Sequence, residues 1–223
     1  MMRRDVVPAT TRRSVIVLLG LLSLMGFGGV AMGATTKTYD FTVLLDDDEI
    51  GHQRFDVTSE GERTQIRVSA EFKVKFLLIT VYTYRHSNVE TWQGSCLSEI
   101  QAETNDNGDA FFVKGSYRDG RLQWQTQAGE RAAEGCVKTF AYWNQDWLTG
   151  DRLLNSQTGE LQRADIDILG KETIAVRGSP TPTTHRRIVT DQFTIDLWHG
   201  LDGEWVALQS TTNKGKTLHY RLQ

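Results

Sequence analysis

Residues 66–76 read IRVSAEFKVKF, and apolar side chains alternate with polar ones at all eleven positions. Successive side chains of a β-strand point to opposite faces, so this alternation predicts a long strand with one buried and one solvated face. Residues 122–128 and 218–222 alternate in the same way. From residue 77 to residue 81 both faces turn apolar, which predicts that something covers the sheet there.

Tight-turn sequences separate these strand-like runs. The pairs Asn-Gly at 107–108, Asp-Gly at 119–120 and Asp-Gly at 202–203 tolerate the positive φ that short hairpins require. Hairpins at this spacing predict a mainly β fold, an antiparallel curved sheet or half-barrel of about ten strands. The proline-containing stretch 178–184 (GSPTPTT) is expected to be a surface loop within one domain.

One segment departs from the strand pattern. In residues 138–148 (KTFAYWNQDWL), Phe140, Trp143, Trp147 and Leu148 fall at helical spacing. The sequence therefore predicts one short helix, which would pack its aromatic side chains against the concave face of the sheet.

The first 33 residues have the three-part pattern of a secretory signal peptide. Four arginines precede the apolar run VIVLLGLL at 15–22, and small residues precede a cleavage site between Gly33 and Ala34. A retained membrane anchor is the rival interpretation, but glycines crowd the end of the run. The pair Arg12-Arg13 allows the twin-arginine route, although the general secretory route fits a chain without a cofactor motif. Residues 34–223 then form a single periplasmic domain.

Charge and composition exclude several classes of protein. Apolar residues make up 39% of the chain and charged residues 24%, as in ordinary globular domains. Removal of the leader takes away four arginines and one aspartate, which leaves 21 basic and 27 acidic residues and a net charge of −6. An acidic chain without a basic stripe argues against nucleic acid and against anionic membrane surfaces as partners. No stable membrane insertion is expected after cleavage.

The two cysteines, Cys96 and Cys136, predict a disulfide, because a lone pair in an exported chain is normally oxidised. The bond would close a loop of about 40 residues and stabilise the fold by roughly 4 kcal/mol on the chain-entropy model. A catalytic or metal-binding thiol is the rival interpretation, but neither cysteine has a second ligand at metal spacing.

Catalytic and metal motifs are weak in this sequence. No two of the five histidines lie within five residues of each other, so no metal site and no cofactor are expected. His86, Glu90 and Trp92 are spaced evenly, which places them on one face of a strand. A His–Glu pair there could support acid–base chemistry, or it could simply hold a bent strand by hydrogen bonds.

Several sequence motifs together carry a resemblance to a known family. They are residues 50–55, 81–86, 90–94, 104–108, 139–143, 153–160, 196–206 and 218–220. The set resembles a family of uncharacterised bacterial periplasmic proteins known only as a domain of unknown function. The resemblance covers roughly residues 38–223 and carries no established activity. A curved sheet with an aromatic helix on its concave side is also similar, at the level of fold alone, to the half-barrels of LolA-type lipoprotein carriers.

The favoured function is a non-catalytic periplasmic binder or carrier of an apolar, lipid-like ligand, because concave faces of β-barrels are common ligand sites. The alternatives are an envelope protein–protein interaction module and, less favoured, a hydrolase or transferase that uses His86 and Glu90. The expected ligand-binding residues are aromatic: Tyr82, Tyr84, Trp124, Phe140, Trp143 and Trp147.

Overall fold

Antiparallel strands joined by tight turns make up most of the structure. The structure is a computed structural model that describes residues 33–77, 79–211 and 215–223. All but the last residue of the predicted signal peptide therefore lies outside the described residues. Among those residues no helix has the length and apolar character needed to cross a membrane. The strands are β1 (Thr35–Leu45), β2 (Asp48–Glu60), β3 (Arg63–Phe76), β4 (Ile79–Gln93), β5 (Cys96–Asp106), β6 (Asp109–Arg118), β7 (Arg121–Thr126), β8 (Gly129–Glu134), β9 (Arg152–Leu154), β10 (Leu161–Arg163), β11 (Asp165–Val176), β12 (Ser179–Val189), β13 (Thr194–Gly200), β14 (Trp205–Thr211) and β15 (Thr217–Leu222).

Thirteen of these strands form one antiparallel sheet in the order β11-β12-β13-β14-β15-β1-β2-β3-β4-β5-β6-β7-β8, and β9 pairs with β10 alone. The terminal strand β15 lies beside β1, with Phe41 opposite Leu222. This pairing joins the two runs of hairpins into one sheet. The expectation of about ten strands was wrong, because the sheet alone has thirteen and β9 and β10, of three residues each, are too short to show an alternation in the sequence.

The prediction from residues 66–76 is confirmed in part. These residues lie in β3, where Ile66, Val68, Ala70 and Phe72 are buried and the residues between them face solvent. Beyond Phe72 the predicted buried face ends, since Val74 is half-buried and Phe76 is 69% exposed. The buried face packs on an aromatic core around Trp205, whose ring centroid lies 4.4 Å from that of Phe41. The turn predictions hold as well, since the turns at 107–108 and 119–120 have positive φ at both residues.

The predicted helix at residues 138–148 is wrong. The described residues contain no helix, and this stretch makes only tight turns, such as those from the Asn144 amide to the Ala141 carbonyl and from the Thr149 amide to the Trp147 carbonyl. Its Thr, Asn and aromatic residues are poor helix formers, and a helix this short gains little by itself. The side chains of Phe140, Trp143 and Trp147 instead leave this buried stretch on different sides and pack against different neighbours.

Residues 137–164, called here the interior segment, run along the buried face of the sheet. Val137, Ala141, Leu148 and Leu153 are buried in the same core cluster as the strands. The segment is held to itself by a parallel bridge between Thr139 and Leu154 and by the β9–β10 pair. Its side chains therefore pack against the buried face of the sheet in place of the predicted helix.

Two further expectations need correction. Most of the stretch at 178–184 belongs to β12 rather than to a loop, and Pro180 and Pro182 precede Thr183, where β13 begins to pair. The prolines, which have no N–H group to donate, therefore cost no hydrogen bond between β12 and β13. The apolar run at 77–81 was expected to be covered, yet Leu77, Ile79 and Val81 are exposed.

Candidate functional site

A cavity of about 560 Å³ lies between the buried face of the sheet and the interior segment. β4 and β13 both contribute to its wall although five strands lie between them, so the sheet curves around it. The volume is within the range of small-molecule sites. The wall is mixed: apolar residues are Phe55, Ile66, Val68, Phe140, Tyr142, Trp143, Phe193, Ile195, Trp205, Leu208, Leu218 and Tyr220, and polar ones include Gln53, Tyr84, His86, Asn88, Glu90, Asp106, Thr139, Asn155, Gln157 and Gln192.

The cavity reaches one end of the sheet, called here the mouth end, which carries the turns after β1, β3 and β5. Hairpin strands reverse direction at each turn, so every second turn lies at the same end. Asp106 ends β5, Thr211 ends β14 and Leu218 lies near the start of β15, and all three line the cavity at this end.

Polar side chains form a row on the buried face of β4. His86, Asn88, Glu90 and Trp92 alternate with exposed or outward-facing neighbours and are each at most 7% exposed. Their spacing of two residues places them on one face, as the sequence predicted for three of them. Asn88 belongs to the same face and was missed, although its position between His86 and Glu90 was a sufficient signal.

Glu90 is a fully enclosed carboxylate that accepts three hydrogen bonds. Asn88 Nδ2 donates to Oε1 at 2.8 Å, and Trp92 Nε1 and Thr139 Oγ1 donate to Oε2 at 2.9 and 3.0 Å. Burial raises the pKa of Glu90 above its ordinary value, while the three donors oppose that shift. The carboxylate joins β4 to the interior segment and has its acceptor sites occupied by protein donors.

Asn88 is the unsatisfied member of the row. Its Nδ2 is used by Glu90, but its Oδ1 is buried and has no hydrogen-bond partner among the described residues. The side chain is 4% exposed and forms part of the cavity wall. A buried carbonyl oxygen without a donor costs about 1–3 kcal/mol, so this atom is suited to receive a donor from a bound molecule.

His86 and Glu90 do not act as a pair. His86 Nδ1 bonds to Thr104 Oγ1 on β5 at 2.8 Å, and burial lowers the pKa of His86 to about 4. The ring is therefore neutral near pH 7. Four residues of extended strand separate the two side chains by roughly 13 Å. Each has its own partners, which is the arrangement of structural polar groups rather than of an acid–base couple.

The predicted aromatic site residues fall into two groups. Tyr84, Phe140 and Trp143 line the cavity, and the Tyr84 hydroxyl donates to Gln157 Oε1 at 3.1 Å. Burial raises the pKa of Tyr84, so its hydroxyl stays protonated. The other residues lie elsewhere, and Tyr82 is half-buried toward the end of the β3–β4 hairpin.

Trp147 and Trp124 serve the packing outside the cavity wall. The Trp147 ring stacks on Trp92 with centroids 5.1 Å apart, and Trp143 meets Trp92 edge to face at 6.0 Å. Trp124 Nε1 donates to the Gly159 carbonyl at 2.9 Å and thereby anchors the interior segment to β7. Trp143 and Trp147 therefore both pack against β4, to which Trp92 belongs.

Residues distant in sequence complete the wall and were missed. Phe193 contacts the Phe140 ring at 5.6 Å, and Trp205 contacts the Tyr142 ring at 5.6 Å. Tyr220, on β15, is also part of the lining. Strand β15 meets β1 only in the folded sheet, so no local pattern indicated that its side chains face the same space as those of β4.

The predicted disulfide is confirmed: Cys96, at the start of β5, is bonded to Cys136, just after β8. The adjacent backbone bond from the Leu97 amide to the Val137 carbonyl, 2.9 Å long, continues the connection. Together they hold the start of the interior segment against the sheet. A disulfide is consistent with an oxidising compartment.

Within the described ranges, no group of three or more His, Cys, Asp or Glu side chains is placed to hold a metal ion. A second groove, of about 1120 Å³, lies along the outer strand β8 and the β9–β10 pair. Its lining mixes both signs of charge and is more polar than that of the cavity. The cavity, with its buried polar row, is therefore the better-defined candidate.

The chain belongs to the family described as Domain of unknown function (DUF6134), whose model matches residues 41–223. This confirms the resemblance to an uncharacterised domain family. The fold is similar to that of a β-barrel-like protein of Domain of Unknown Function DUF1849 from Brucella abortus, with a TM-score of 0.60 at 9% identity. The similarity covers 84% of this chain and 94% of that one. No curated protein has a matching sequence.

Proposed function

We propose that the chain is an exported, non-catalytic binding protein that holds an amphipathic, lipid-like ligand in the 560 Å³ cavity. The ligand would place its apolar body among the aromatic side chains and one hydrogen-bond donor, such as a hydroxyl or amide, against Asn88. The single observation that carries the proposal is the Asn88 Oδ1, a buried acceptor on a residue of the cavity wall that has no hydrogen-bond donor among the described residues.

The apolar part of the wall supports a lipid-like body. Phe140, Phe193 and Trp205 come from three separate parts of the chain and surround the same space. Burial of aromatic and aliphatic surface against a ligand provides most of the binding free energy of such sites. A purely apolar ligand would leave Asn88 unsatisfied, which is why an amphipathic one is proposed.

The periplasm is the proposed location. The signal peptide predicted at residues 1–33, cleaved after Gly33, would export the chain, and the Cys96–Cys136 bond suits an oxidising compartment. The family and its structural neighbour are both described as domains of unknown function, so the proposal rests on the site alone.

The enzyme alternative receives less support from the geometry. Glu90 accepts bonds from three protein donors, and His86 is buried, neutral and bonded to Thr104. A general acid or base must reach a substrate proton in the correct charge state. Neither residue offers that without loss of its present partners.

A pair of matched substitutions tests the cavity. Val68 lines the cavity opposite Asn88, whereas Val89 lies on the outer face of the neighbouring strand. Val68→Phe should fill the space and abolish binding of a fluorescent long-chain monoacylglycerol, while Val89→Phe should bind as the wild type does. Circular dichroism and urea midpoints check that both fold, since overpacking costs about 1–3 kcal/mol.

A second test addresses the head group. The wild type should bind a long-chain alcohol about 5–30 times more tightly than its methyl ether, because one buried hydrogen bond differs. Asn88→Leu should remove that preference. Protein that carries no lipid after purification and binds none of these probes, or Val68→Phe that binds as well as wild type, would overturn the proposal.

A further inference from the structure

We infer that the end of the β3–β4 hairpin, residues 73–77 and 79–83, is a peripheral membrane-docking element that inserts its exposed apolar side chains into the interface of a lipid bilayer. This hairpin tip is a surface feature separate from the cavity. The inference therefore goes beyond the proposed function and stands whether or not the cavity holds a ligand.

The hairpin tip projects beyond the sheet. The pairing of β2 with β3 ends at Phe72, and the pairing of β4 with β5 ends at Tyr84. Beyond these positions the arms pair with each other, with Val74 opposite Tyr82 and Phe76 opposite Ile79. Thr83, at the base of the tip, also bonds to Asn107 just after β5. About five residues per arm extend the ribbon by roughly 16 Å, so its end is free to meet another surface.

Large apolar side chains occupy the end of this ribbon. Phe76, Leu77, Ile79 and Val81 are all more than half exposed, and Leu77 reaches 83%. Scattered apolar residues are normal on a protein surface, but a contiguous cluster at a projecting tip marks an interaction site. The tip is convex and narrow, so it suits insertion into a fluid medium better than docking against a flat protein face.

The backbone at Leu77 is an independent observation. Leu77 has φ +57°, and the four other described non-glycine residues with positive φ are Asp46, Asn107, Asp119 and Arg177. Asn, Asp or Gly adopt this region with little strain, whereas a bulky apolar residue is unusual there. Residues held in an unfavourable backbone conformation often lie at functional sites. Leu77 is also 83% exposed, so no packing contact explains a leucine at this position.

The flanking charges favour a bilayer over a protein groove. Lys75 lies immediately behind the apolar residues, where its chain can extend along the acyl region and place the ammonium group among lipid headgroups. Lys73, further back on the same strand, is paired with Glu71 at 2.8 Å. The net charge of −6 after removal of the leader, with the acidic turn beginning at Asp46 on the same end, disfavours attraction by anionic lipid. Apolar insertion is therefore the driving force.

The position of the tip also fits a bilayer. The turn between β3 and β4 lies at the mouth end, where Asp106 and Leu218 border the cavity. A protein docked through the tip would place this end of the cavity toward the membrane.

Flotation of the mature chain with zwitterionic phosphatidylcholine vesicles tests the inference. The wild type should float with the vesicles, and molar salt should not release it. Phe76→Ser/Leu77→Asn should lower the partition coefficient by about tenfold or more, because two exposed apolar side chains lose their transfer free energy. Asn suits the positive φ at position 77, so the variant should fold normally.

Leu201→Asn is the matched control. Leu201 is 66% exposed and lies in the turn between β13 and β14, at the end opposite the tip. This variant should change the partition by less than about twofold. Absence of wild-type flotation, binding only to anionic vesicles that salt abolishes, or equal effects of the two variants would overturn the inference. So would a wild-type dimer that Leu77→Asn converts to monomer, since a second copy would then cover the tip.

Discussion

Thr139 provides a direct test of the buried contact that joins the interior segment to the sheet. Its hydroxyl donates to Glu90 Oε2 at 3.0 Å, and both residues are at least 95% buried. Thr139→Val keeps the shape of the side chain and removes only the donor. The carboxylate would retain its bonds from Asn88 and Trp92. The substitution therefore isolates one hydrogen bond to a buried charge.

We expect Thr139→Val to lower the free energy of unfolding by about 1.5–3 kcal/mol, because bonds to charged groups contribute roughly that much. For a domain of this size the melting temperature should fall by about 2–4 °C per kcal/mol. Urea denaturation measures the change, provided that the denaturant slope stays constant. Thr183→Val is the control, since the Thr183 hydroxyl is equally buried but donates to the neutral Glu172 carbonyl at 3.0 Å. Its cost should be about 0.5–1.5 kcal/mol.

The pH dependence of the difference distinguishes a charged acceptor from a neutral one. Burial raises the pKa of Glu90 above 4.5, so its contribution to stability is complete below pH 4.5 and is lost as pH rises through the folded-state pKa. The Thr139 hydroxyl favours the charged carboxylate, so its removal raises the pKa of Glu90 further and enlarges the decrease in stability with rising pH. The cost of Thr139→Val should therefore grow with pH above 4.5, while that of Thr183→Val stays constant. Equal, pH-independent costs for the two variants would refute the reasoning.

Two further predictions concern the disulfide and the buried histidine. Cys96→Ser/Cys136→Ser should lower the free energy of unfolding by about 4 kcal/mol, because the bond closes a 40-residue separation, and protein purified from the periplasm should show no titratable thiol. Both thiols reacting in that preparation would contradict it. The pKa of His86, about 4 rather than 6.5, predicts stability that is present above pH 6.5 and falls toward pH 4, by up to roughly 3 kcal/mol. His86→Gln should reduce this dependence of stability on pH, measured by urea denaturation at several pH values. An unchanged pH dependence would mean that His86 is not buried as a neutral ring.

Local patterns in the sequence were sufficient for several features. The alternation over residues 66–76 predicted β3 and its buried face, because the two-residue period of a strand depends only on neighbouring positions. The turns at 107–108 and 119–120 followed from residues that tolerate positive φ. The pairing of Cys96 with Cys136 followed from the absence of any other cysteine. Each of these signals is local or is decided by simple counting.

The interior segment shows where local signals failed. Phe140, Trp143 and Trp147 have helical spacing, but the surrounding sheet offers contacts on several sides, and the chain turns to reach them. Enclosure of this kind outweighs a weak helical preference. The same limit applies to β9 and β10, which are too short to show a period.

The sequence alone predicted only part of the candidate site. His86 and Glu90 were placed on one face of a strand, but their partners Thr104 and Thr139 come from other parts of the chain. The unsatisfied oxygen of Asn88 could not be foreseen, since satisfaction of a buried polar atom depends on every group packed around it.

The long hairpins and the turns that join them could thus be read from the amino-acid sequence because they depend on neighbours along the chain, and the cysteine pairing because there are only two cysteines. Three features required the folded structure: the pairing of β15 with β1, the filling of the curved sheet by residues 137–164 without a helix, and the exposure of Phe76, Leu77, Ile79 and Val81 at the hairpin tip. These outcomes depend on contacts between residues far apart in sequence, where burial and hydrogen bonding compete over the whole fold.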